Sequence, residues 1–291
     1  MREIAIASGK GGTGKTTVSV NLAKYLAEQN RFDKIILCDL DVEEPNSGLF
    51  LQGALIKEEV KYRMVPEWDE EKCTLCKRCA NVCEFNALAF LGFSVLIFPE
   101  LCHSCYACSE LCPENALPMK QHRMGVLKHY KVSENLEFVE SRLDIGVEQA
   151  VPLIAETKKY VREHAGENTL VIYDAPPGTS CPVIEAVKKT EKSLLVTEPT
   201  PFGLNDLTLA VETMKELKQP FSVIINRSGE HDRLIEDYCD KNDIEVAGKI
   251  PFLREAAVAY SKGEVMIDSV PEIRSAIAKI ATNVLEKGGQ Q

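Results

Sequence analysis

The chain has 291 residues and a formal net charge of −10, and its length accommodates one α/β domain together with a small second domain. The acidic charge argues against general binding of nucleic acid, which needs a basic surface. We find no export signal and no apolar run long enough to cross a bilayer, so we expect a cytoplasmic protein without stable membrane insertion, in a compartment that keeps cysteines reduced.

The first predicted element is a buried strand over residues 2–8, followed by a glycine-rich loop and an apolar helical pattern that runs through Leu26. The loop fits G-x4-G-K-[ST], the P-loop pattern, in the strand-loop-helix context that it requires. Its glycines let backbone N–H groups surround phosphates, Lys15 can reach the β- and γ-phosphates, and Thr16 can ligate Mg²⁺. The predicted nucleotide-binding residues of the loop are Gly9, Gly11, Gly12, Thr13, Gly14, Lys15, Thr16 and Thr17.

Lys10 stands early in this loop and gives the sequence Lys-Gly-Gly-Thr-Gly-Lys-Thr. With it the loop resembles the deviant Walker A family, which includes MinD, ParA, Mrp and the nitrogenase iron protein. The resemblance implies an ATPase that forms a homodimer through its nucleotide face, with Lys10 reaching across to the partner's nucleotide. The alternative is a surface lysine attracted to phosphates within its own subunit.

Two later segments resemble the switches of the same family. Residues 34–39 form a predicted buried strand, and the segment from Asp39 to Asn46 looks like switch I. Residues 170–174 followed by Ala-Pro-Pro-Gly-Thr resemble the Walker B strand and switch II of the Mrp branch. The resemblance implies that Lys10, Lys15 and Asp41 are catalytic, Asp41 by orienting or activating water, and that Thr16, Asp39 and Asp174 hold magnesium. Either aspartate at a strand end could also be a simple cap.

Between the two switch segments the pattern C-x2-C-x2-C-x3-C occurs twice, and the residues that follow the first run resemble those that follow the second. This duplication resembles the two-cluster bacterial ferredoxins, in which three cysteines of a run hold one cubane and the fourth crosses to the other. The resemblance implies two 4Fe-4S clusters. One would be held by Cys73, Cys76, Cys79 and Cys112, and the other by Cys102, Cys105, Cys108 and Cys83.

Zinc and disulfides are the alternatives for these eight cysteines. Zinc sites usually use paired C-x2-C knuckles from separate loops, whereas thiolates at two-residue gaps suit the corners of a cubane. Disulfides are disfavoured in a reducing compartment. Glu84 departs from the ferredoxin pattern, since it replaces the usual proline after the first run.

Three further positions have weaker signals. Asn226 at a predicted strand end and Pro251 resemble the adenine-binding positions of the family, although asparagine after a strand is also an ordinary turn residue. Cys181 lies seven residues after Asp174, at the offset of a cluster ligand in the nitrogenase iron protein. A metal-binding role for Cys181 is the alternative to the interpretation we adopt, which is an inert, partly buried thiol. The paired C-x-x-C near the carboxyl end of Mrp-type scaffold proteins is absent from the sequence.

The pattern as a whole predicts an α/β fold of the MinD-like P-loop type, with a mostly parallel sheet flanked by helices. Residues 62–121 interrupt the alternation of strands and helices. We therefore predict a P-loop domain of residues 1–61 and 122–291, and a small inserted α+β domain of the bacterial-ferredoxin type at 62–121. The last predicted helix, 271–287, has an apolar stripe that could face the core or, as in MinD, a membrane; core packing is the interpretation we adopt.

The predicted function is that of an iron-sulfur ATPase whose nucleotide-gated dimer couples ATP hydrolysis to electron transfer or to redox-dependent partner binding. The alternative is an ATPase that assembles clusters or positions a partner, as Mrp and MinD relatives do. Neither interpretation identifies the protein partner from the sequence.

Overall fold

The computed structural model describes residues 1–286. Its strands are β1 (Arg2–Ala7), β2 (Lys34–Asp39), β3 (Ala54–Pro66), β4 (Leu88–Phe90), β5 (Val95–Ile97), β6 (Met119–Lys131), β7 (Leu136–Leu143), β8 (Thr169–Asp174), β9 (Lys192–Thr197), β10 (Phe221–Ser228) and β11 (Val246–Pro251). Its helices are α1 (Lys15–Glu28), α2 (Arg78–Val82), α3 (Ala107–Glu110), α4 (Ala150–His164), α5 (Cys181–Val187), α6 (Pro201–Glu216), α7 (Arg233–Lys241), α8 (Arg254–Ser261) and α9 (Pro271–Glu286). Short 3-10 turns occur at Ser47–Leu49, Pro99–Leu101 and Met266–Asp268.

One large sheet has the strand order β11-β10-β9-β1-β8-β2-β7-β6-β3, and β4 pairs with β5 in a separate antiparallel sheet. The strands β1, β2, β8, β9 and β10 are joined by parallel pairings. Their residues are almost continuously buried and apolar, as expected for parallel strands that are covered on both faces. The predicted α/β fold with a mostly parallel sheet and flanking helices is confirmed.

The last helix, α9, packs its apolar stripe into the core of the molecule. Ile273, Ile277, Ile280 and Val284 are each at most 2% exposed, and α9 contacts β11 and α1. The stripe therefore faces the core, as we predicted, and Lys287 of the predicted helix lies outside the described residues. Among the helices of residues 1–286, none is both long and apolar enough to cross a membrane.

The chain divides into two compact units. The P-loop unit comprises Met1–Glu59, Leu127–Arg142 and the chain from Ile154 onward, and the cysteine unit comprises Val60–Val126 and Leu143–Leu153. The cysteine unit has its own small core, formed by Val65, Ala87, Leu88, Val95, Cys102, Cys108 and Leu117.

The sequence-based boundaries after residues 61 and 121 fall inside β3 and β6, and each of these strands contributes residues to both units. Residues 143–153 also cluster with the cysteine unit, which we did not predict because β7 separates them from it in the chain. The inserted ferredoxin-like domain at 62–121 remains a prediction.

Candidate functional site

The P-loop lies between β1 and α1 and is shaped by two glycines in the left-handed region. Gly12 has φ +79° and Gly14 has φ +93°, conformations that side chains rarely adopt. The ammonium of Lys15 folds back over the loop, 3.0 Å from Ser8 Oγ and 3.4 Å from the carbonyl oxygen of Lys10. Burial lowers the pKa of Lys15, and the nearby Asp174, Asp41 and Asp39 oppose that shift. The loop thus presents a buried cation beside backbone N–H groups, which suits phosphate binding.

Asp39 and Asp174 end the neighbouring strands β2 and β8, and the parallel register places them directly opposite each other. Asp39 accepts hydrogen bonds of 3.0 Å from the backbone N–H groups of Asp41, Asn46 and Ser47. Asp174 accepts from Ser19 Oγ at 3.0 Å and from Ser47 Oγ at 3.2 Å, and also from the side chain of Thr16. The structure thus brings together all three predicted magnesium residues.

The carboxyls of this edge are held at unusually high pKa values. Burial raises the pKa of Asp174 to about 7, and the charge of Asp39 adds to the shift. Burial and Asp39 likewise raise the pKa of Asp41 to about 6. Burial raises the pKa of Asp39 against its backbone hydrogen bonds.

Crowded buried carboxylates of this kind fit a divalent cation, because the cation relieves both their desolvation and their mutual repulsion. Mg²⁺ is commonly held by one or two carboxylates together with phosphate oxygens and water. The donor set of Thr16, Asp39 and Asp174 matches that chemistry.

A cavity of about 480 Å³ adjoins the P-loop. It is lined at the loop end by Gly11, Gly12, Gly14, Lys15, Thr16, Thr17, Asp41 and Asp174, and at the other end by Asn226, Arg227, Ile250, Pro251, Phe252 and Tyr260 among others. The polar end suits phosphates and the apolar end suits a flat ring. Both predicted base-binding residues, Asn226 and Pro251, lie in this lining.

Asn226 makes a contact that we did not predict. Its Nδ2 donates to the carbonyl oxygen of Thr13 at 2.8 Å, and a Cβ on Gly14 would lie 2.2 Å from that nitrogen. Thr13 Oγ1 is buried without a hydrogen-bond partner in the described chain, which leaves a donor in the loop for a ligand. Asn226 therefore supports the loop as well as lining the cavity.

Lys10 pairs with a residue of α6. Its Nζ lies 3.4 Å from Asp206 Oδ2, and the lysine side chain is 37% exposed. Gly9 also packs tightly on α6, since a Cβ there would lie 2.0 Å from the carbonyl oxygen of Asp206. Sequence reasoning missed Asp206, Ser19 and Ser47. Of these only Ser19 had a usable signal, because it lies one helical turn after Lys15 on α1.

The eight cysteines of the two runs line two separate cavities in the cysteine unit. The first cavity is lined by Cys73, Cys76, Cys79 and Cys112 together with Trp68 and Leu117, and the second by Cys83, Cys102, Cys105 and Cys108 together with Phe85 and His103. These are the two sets of four that the sequence resemblance assigns to two clusters.

Within residues 1–286 no group of three or more His, Cys, Asp or Glu side chains converges in the way that holds a single metal ion. A single ion needs its ligands to meet at one point. A cubane has an iron at each of four corners, so its thiolates surround a shared space without meeting.

The backbone wraps each cysteine run in the same way. Six of the eleven non-glycine residues with positive φ in the described chain lie here: Leu75, Lys77 and Asn86 around the first run, and Ser104, Tyr106 and Asn115 around the second. Such conformations cluster where a chain encloses a ligand, because they turn successive N–H groups inward.

Backbone N–H groups donate to the cysteine sulfurs in both halves of the duplication. Ala87 N–H donates to Cys83 Sγ at 3.3 Å, and Ala116 N–H donates to Cys112 Sγ at 3.2 Å. Burial raises the pKa of Cys108 to about 11, and the neighbouring Cys102 and Cys105 add to the shift. Thiols in this state need cations at the site to become thiolates, which an iron-sulfur cluster provides.

The other three cysteines stand apart from these cavities. Cys38 is buried in β2 and Cys239 is buried in α7. Cys181 is exposed at the first residue of α5, so the expectation of a partly buried thiol is wrong. In the turn between β8 and α5, Gly178 adopts φ +96°.

A P-loop between β1 and α1, beside carboxylates at the ends of two neighbouring parallel strands, defines a P-loop nucleotide-binding protein. The family model for the CobQ/CobB/MinD/ParA nucleotide binding domain matches residues 4–266, and the chain belongs to this family.

Similar proteins agree with the assignment. The uncharacterized protein MJ0579 of Methanocaldococcus jannaschii is 31% identical, over 98% of each chain. The iron-sulfur cluster carrier protein of Pyrococcus horikoshii is 26% identical over 85% of this chain and 67% of its own. The structure of the septum site-determining protein MinD from Pyrococcus horikoshii, complexed with Mg-ADP, superimposes with a TM-score of 0.59 at 22% identity, over 99% of this chain and 97% of that one. This last similarity establishes the fold.

Proposed function

We propose that the protein is a homodimeric ATPase that holds two 4Fe-4S clusters and couples ATP hydrolysis to electron transfer. The observation that carries the proposal is the sorting of eight cysteines into two four-cysteine cavities, in a chain that also has a P-loop cavity. The eleven cysteines of the described chain form no disulfides with one another, so all eight of the two runs are available as ligands.

ATP is the substrate that the P-loop cavity fits. The P-loop nitrogens and the ammonium of Lys15 hold the phosphates, and the apolar end near Pro251 takes the base. Asp41, with its pKa near 6, is ionised at neutral pH and orients the attacking water. Thr16, Asp39 and Asp174 would hold Mg²⁺, which neutralises phosphate charge when bound.

Two further observations support the cluster sites. The indole N–H of Trp68 is buried without a hydrogen-bond partner in the described chain, and Trp68 lines the first cavity. The left-handed residues and the N–H to sulfur bonds occur at matching positions of both runs. When bound, a cluster of this type supplies one-electron transfer.

Dimerisation through the nucleotide face gives Lys10 its role. In the proposed active state Lys10 leaves Asp206 and reaches the nucleotide of the partner. The exposure of Lys10 supports this, since its pairing with Asp206 is a half-exposed ion pair, and such pairs contribute only about 0–1 kcal/mol.

A second candidate is delivery of clusters to another protein, or positioning of a partner. The similarity to the Pyrococcus horikoshii protein named as an iron-sulfur cluster carrier favours it. Against it stands the duplicated arrangement of four cysteines around each cavity, because a carrier needs ligands that release the cluster easily.

Anaerobic redox titration followed by electron paramagnetic resonance tests the proposal. The protein is purified without oxygen, its iron and sulfide are measured, and it is titrated alone, with MgATP and with a non-hydrolysable ATP analogue. We expect two 4Fe-4S signals whose potentials or line shapes change with nucleotide. Intact clusters whose potentials and line shapes do not change with nucleotide would favour cluster delivery or partner positioning. Absence of iron and sulfide would refute the cluster sites.

Lys10→Ala tests the dimeric ATPase. We expect at least a tenfold loss of ATPase rate, because one positioned cation at the phosphates contributes several kcal/mol to phosphoryl transfer. Iron content should not change, and Lys262→Ala, a surface lysine outside the cavity lining, is the control. A wild-type rate for Lys10→Ala would show that the deviant-loop assignment is wrong.

A further inference from the structure

Arg63 is a buried arginine in the cysteine unit. It lies on β3, is 6% exposed, and its Nη1 donates to the carbonyl oxygen of Cys102 at 3.0 Å. Its Nη2 donates to the carbonyl oxygen of Pro99 at 2.8 Å, and its Nη1 also donates to Oε1 of Gln149. Its Nε is buried without a hydrogen-bond partner in the described residues.

The guanidinium keeps its charge in this setting. Burial lowers the pKa of Arg63, but arginine stays protonated in proteins. The three acceptors of its hydrogen bonds are uncharged oxygens, so they solvate the cation without neutralising it. Cys102 and the exposed Glu100 are the acidic groups that act on it. A buried cation therefore lies next to a cysteine of the second cavity, where screening by water is weak.

Among the described residues of the cysteine unit, Arg63 is the one buried lysine or arginine, so no second buried cation of this kind serves the first cavity. Its charged lining residues are Lys77, Arg78 and Glu114, and all three are exposed. Lys77 Nζ lies over the ring of Phe90, 4.7 Å from its centroid. Exposed charges interact weakly through water and are screened by salt. The two cavities, although built by a duplicated sequence, differ in electrostatic potential.

We propose that Arg63 makes the cluster held by Cys83, Cys102, Cys105 and Cys108 the first of the two to be reduced. This inference rests on the proposed function. In each reduction one electron passes from a one-electron reductant to the cluster, whose total charge falls by one; the four thiolates stay bound and no proton is transferred. A buried cation stabilises the more negative state more, so it raises the reduction potential of the nearer cluster. Arg63 acts through the field at Cys102 and is a positioning residue.

The test is an anaerobic redox titration of the full chain, followed by electron paramagnetic resonance. Cys105→Ala and Cys76→Ala, each with an iron count, assign the two signals to the second and first cavities. The wild type should show the higher midpoint potential in the second cavity. Arg63→Met should lower that potential and leave the other unchanged, and Arg63→Lys should retain most of it because the charge remains.

Gln149→Glu gives an independent readout if Arg63→Met does not fold. It keeps the arginine but places a carboxylate on its Nη1, so the second-cavity potential should fall as in Arg63→Met. Lys77→Met is the matched control, since it removes an exposed cation from the wall of the first cavity. The midpoint potentials of both clusters in this variant should stay near the wild-type values.

Three results would overturn the inference: potentials that do not change in either Arg63→Met or Gln149→Glu, equal shifts of both clusters, or loss of iron from the second cavity with no shift in the clusters that remain. These outcomes differ from failure of the proposed function, which would appear as wild-type protein without iron and sulfide.

Discussion

Asp174 shows at the scale of one residue how the site stores unfavourable electrostatic energy. Its pKa rises from 3.8 to about 7 on folding, because of burial and of Asp39. Between these two values the folded chain keeps a proton that the unfolded chain releases. Rising pH therefore favours the unfolded state, and the loss of stability is complete above pH 7. Under the proposed function, magnesium and nucleotide would remove this penalty on binding.

Asp174→Asn should therefore stabilise the protein when neither Mg²⁺ nor nucleotide is present. At pH 3, below both pKa values, the variant and the wild type should differ little. At pH 8 the free energy of unfolding of the variant should be higher by roughly 1.4 kcal/mol for each pKa unit that separates the folded and unfolded carboxyl. Urea unfolding at the two pH values, followed by circular dichroism, measures the difference.

Asp232→Asn is the control of opposite sign. Although burial works against it, hydrogen bonds from Ser228, Gly229 and Lys249 lower the pKa of Asp232. Its stabilising contribution is present above pH 4 and is lost as the pH falls, so this variant should be less stable than the wild type at pH 8. A destabilised Asp174→Asn at pH 8 would contradict our account of the carboxylate pair.

Gly14 and Gly12 form a matched pair for testing the loop. Both have positive φ, so alanine at either position strains the backbone by roughly 1–2 kcal/mol. A Cβ at position 14 would also meet Asn226 Nδ2 at 2.2 Å, whereas a Cβ at position 12 has nothing within 4 Å. Gly14→Ala should therefore lower the free energy of unfolding clearly more than Gly12→Ala, as measured by urea denaturation. Equal losses would show that Asn226 does not support the loop.

The sequence predicted the residues of the loop but not all of their contacts. The P-loop motif is local, so its glycines and Lys15 could be recognised from spacing alone. The bond from Asn226 to Thr13 joins residues that are 213 positions apart, and the pair of Lys10 with Asp206 is also distant in sequence. Such contacts depend on the order of strands in the sheet, which leaves no periodic signal in the chain.

At the scale of elements, strand register brings the two proposed magnesium carboxylates together. Asp39 and Asp174 are partners because β2 and β8 pair in parallel over six residues. The strands themselves were predictable from their buried apolar runs and from the polar residues at their ends. The strands at one edge of the sheet were harder to predict, because β3 and β6 have exposed and charged residues over much of their length. Their apolar pattern is too weak to identify them as strands of the main sheet.

The packing of α9 on β11 makes a further prediction at this scale. A Cβ on Gly248 would lie 2.4 Å from Ile280 Cγ1. Gly248→Ala should destabilise the protein by about 1–3 kcal/mol through overpacking. The loss should be partly recovered in the double variant with Ile280→Ala, so that the two effects are not additive.

Gly166→Ala is the control for this substitution. Its added Cβ would meet only Thr169 Oγ1, at an ordinary 3.6 Å. Urea unfolding of the four proteins gives the coupling energy. Additive losses for Gly248→Ala and Ile280→Ala would show that the helix moves away from the strand instead of holding its position.

At the scale of the whole molecule, the two compact units should unfold separately. Trp68 is the single tryptophan of the chain and belongs to the cysteine unit, so its fluorescence reports on that unit alone. The small core of the cysteine unit includes Cys102 and Cys108, two proposed cluster ligands, whereas the core of the P-loop unit is much larger. After removal of iron, Trp68 fluorescence should change at a lower temperature than the main circular dichroism transition.

Adding nucleotide distinguishes separate unfolding of the two units from cooperative unfolding of the whole chain, because nucleotide should stabilise only the unit that binds it. A ligand at 100 times its Kd stabilises the folded state that binds it by about 2.7 kcal/mol. MgATP should therefore raise the main transition and leave the Trp68 transition almost unchanged. Coincident transitions that rise together with MgATP would show that the two units unfold as one.

The duplicated backbone of the cysteine unit has a consequence for how the protein can be studied. The same left-handed conformations occur at equivalent positions of the two runs: Leu75, Lys77 and Asn86 in the first, and Ser104, Tyr106 and Asn115 in the second. Each cavity is thus an internal reference for the other, at the same temperature, salt and protein concentration. Differences in behaviour between the two cavities therefore report the influence of the surrounding side chains. Such a comparison otherwise requires two separate proteins.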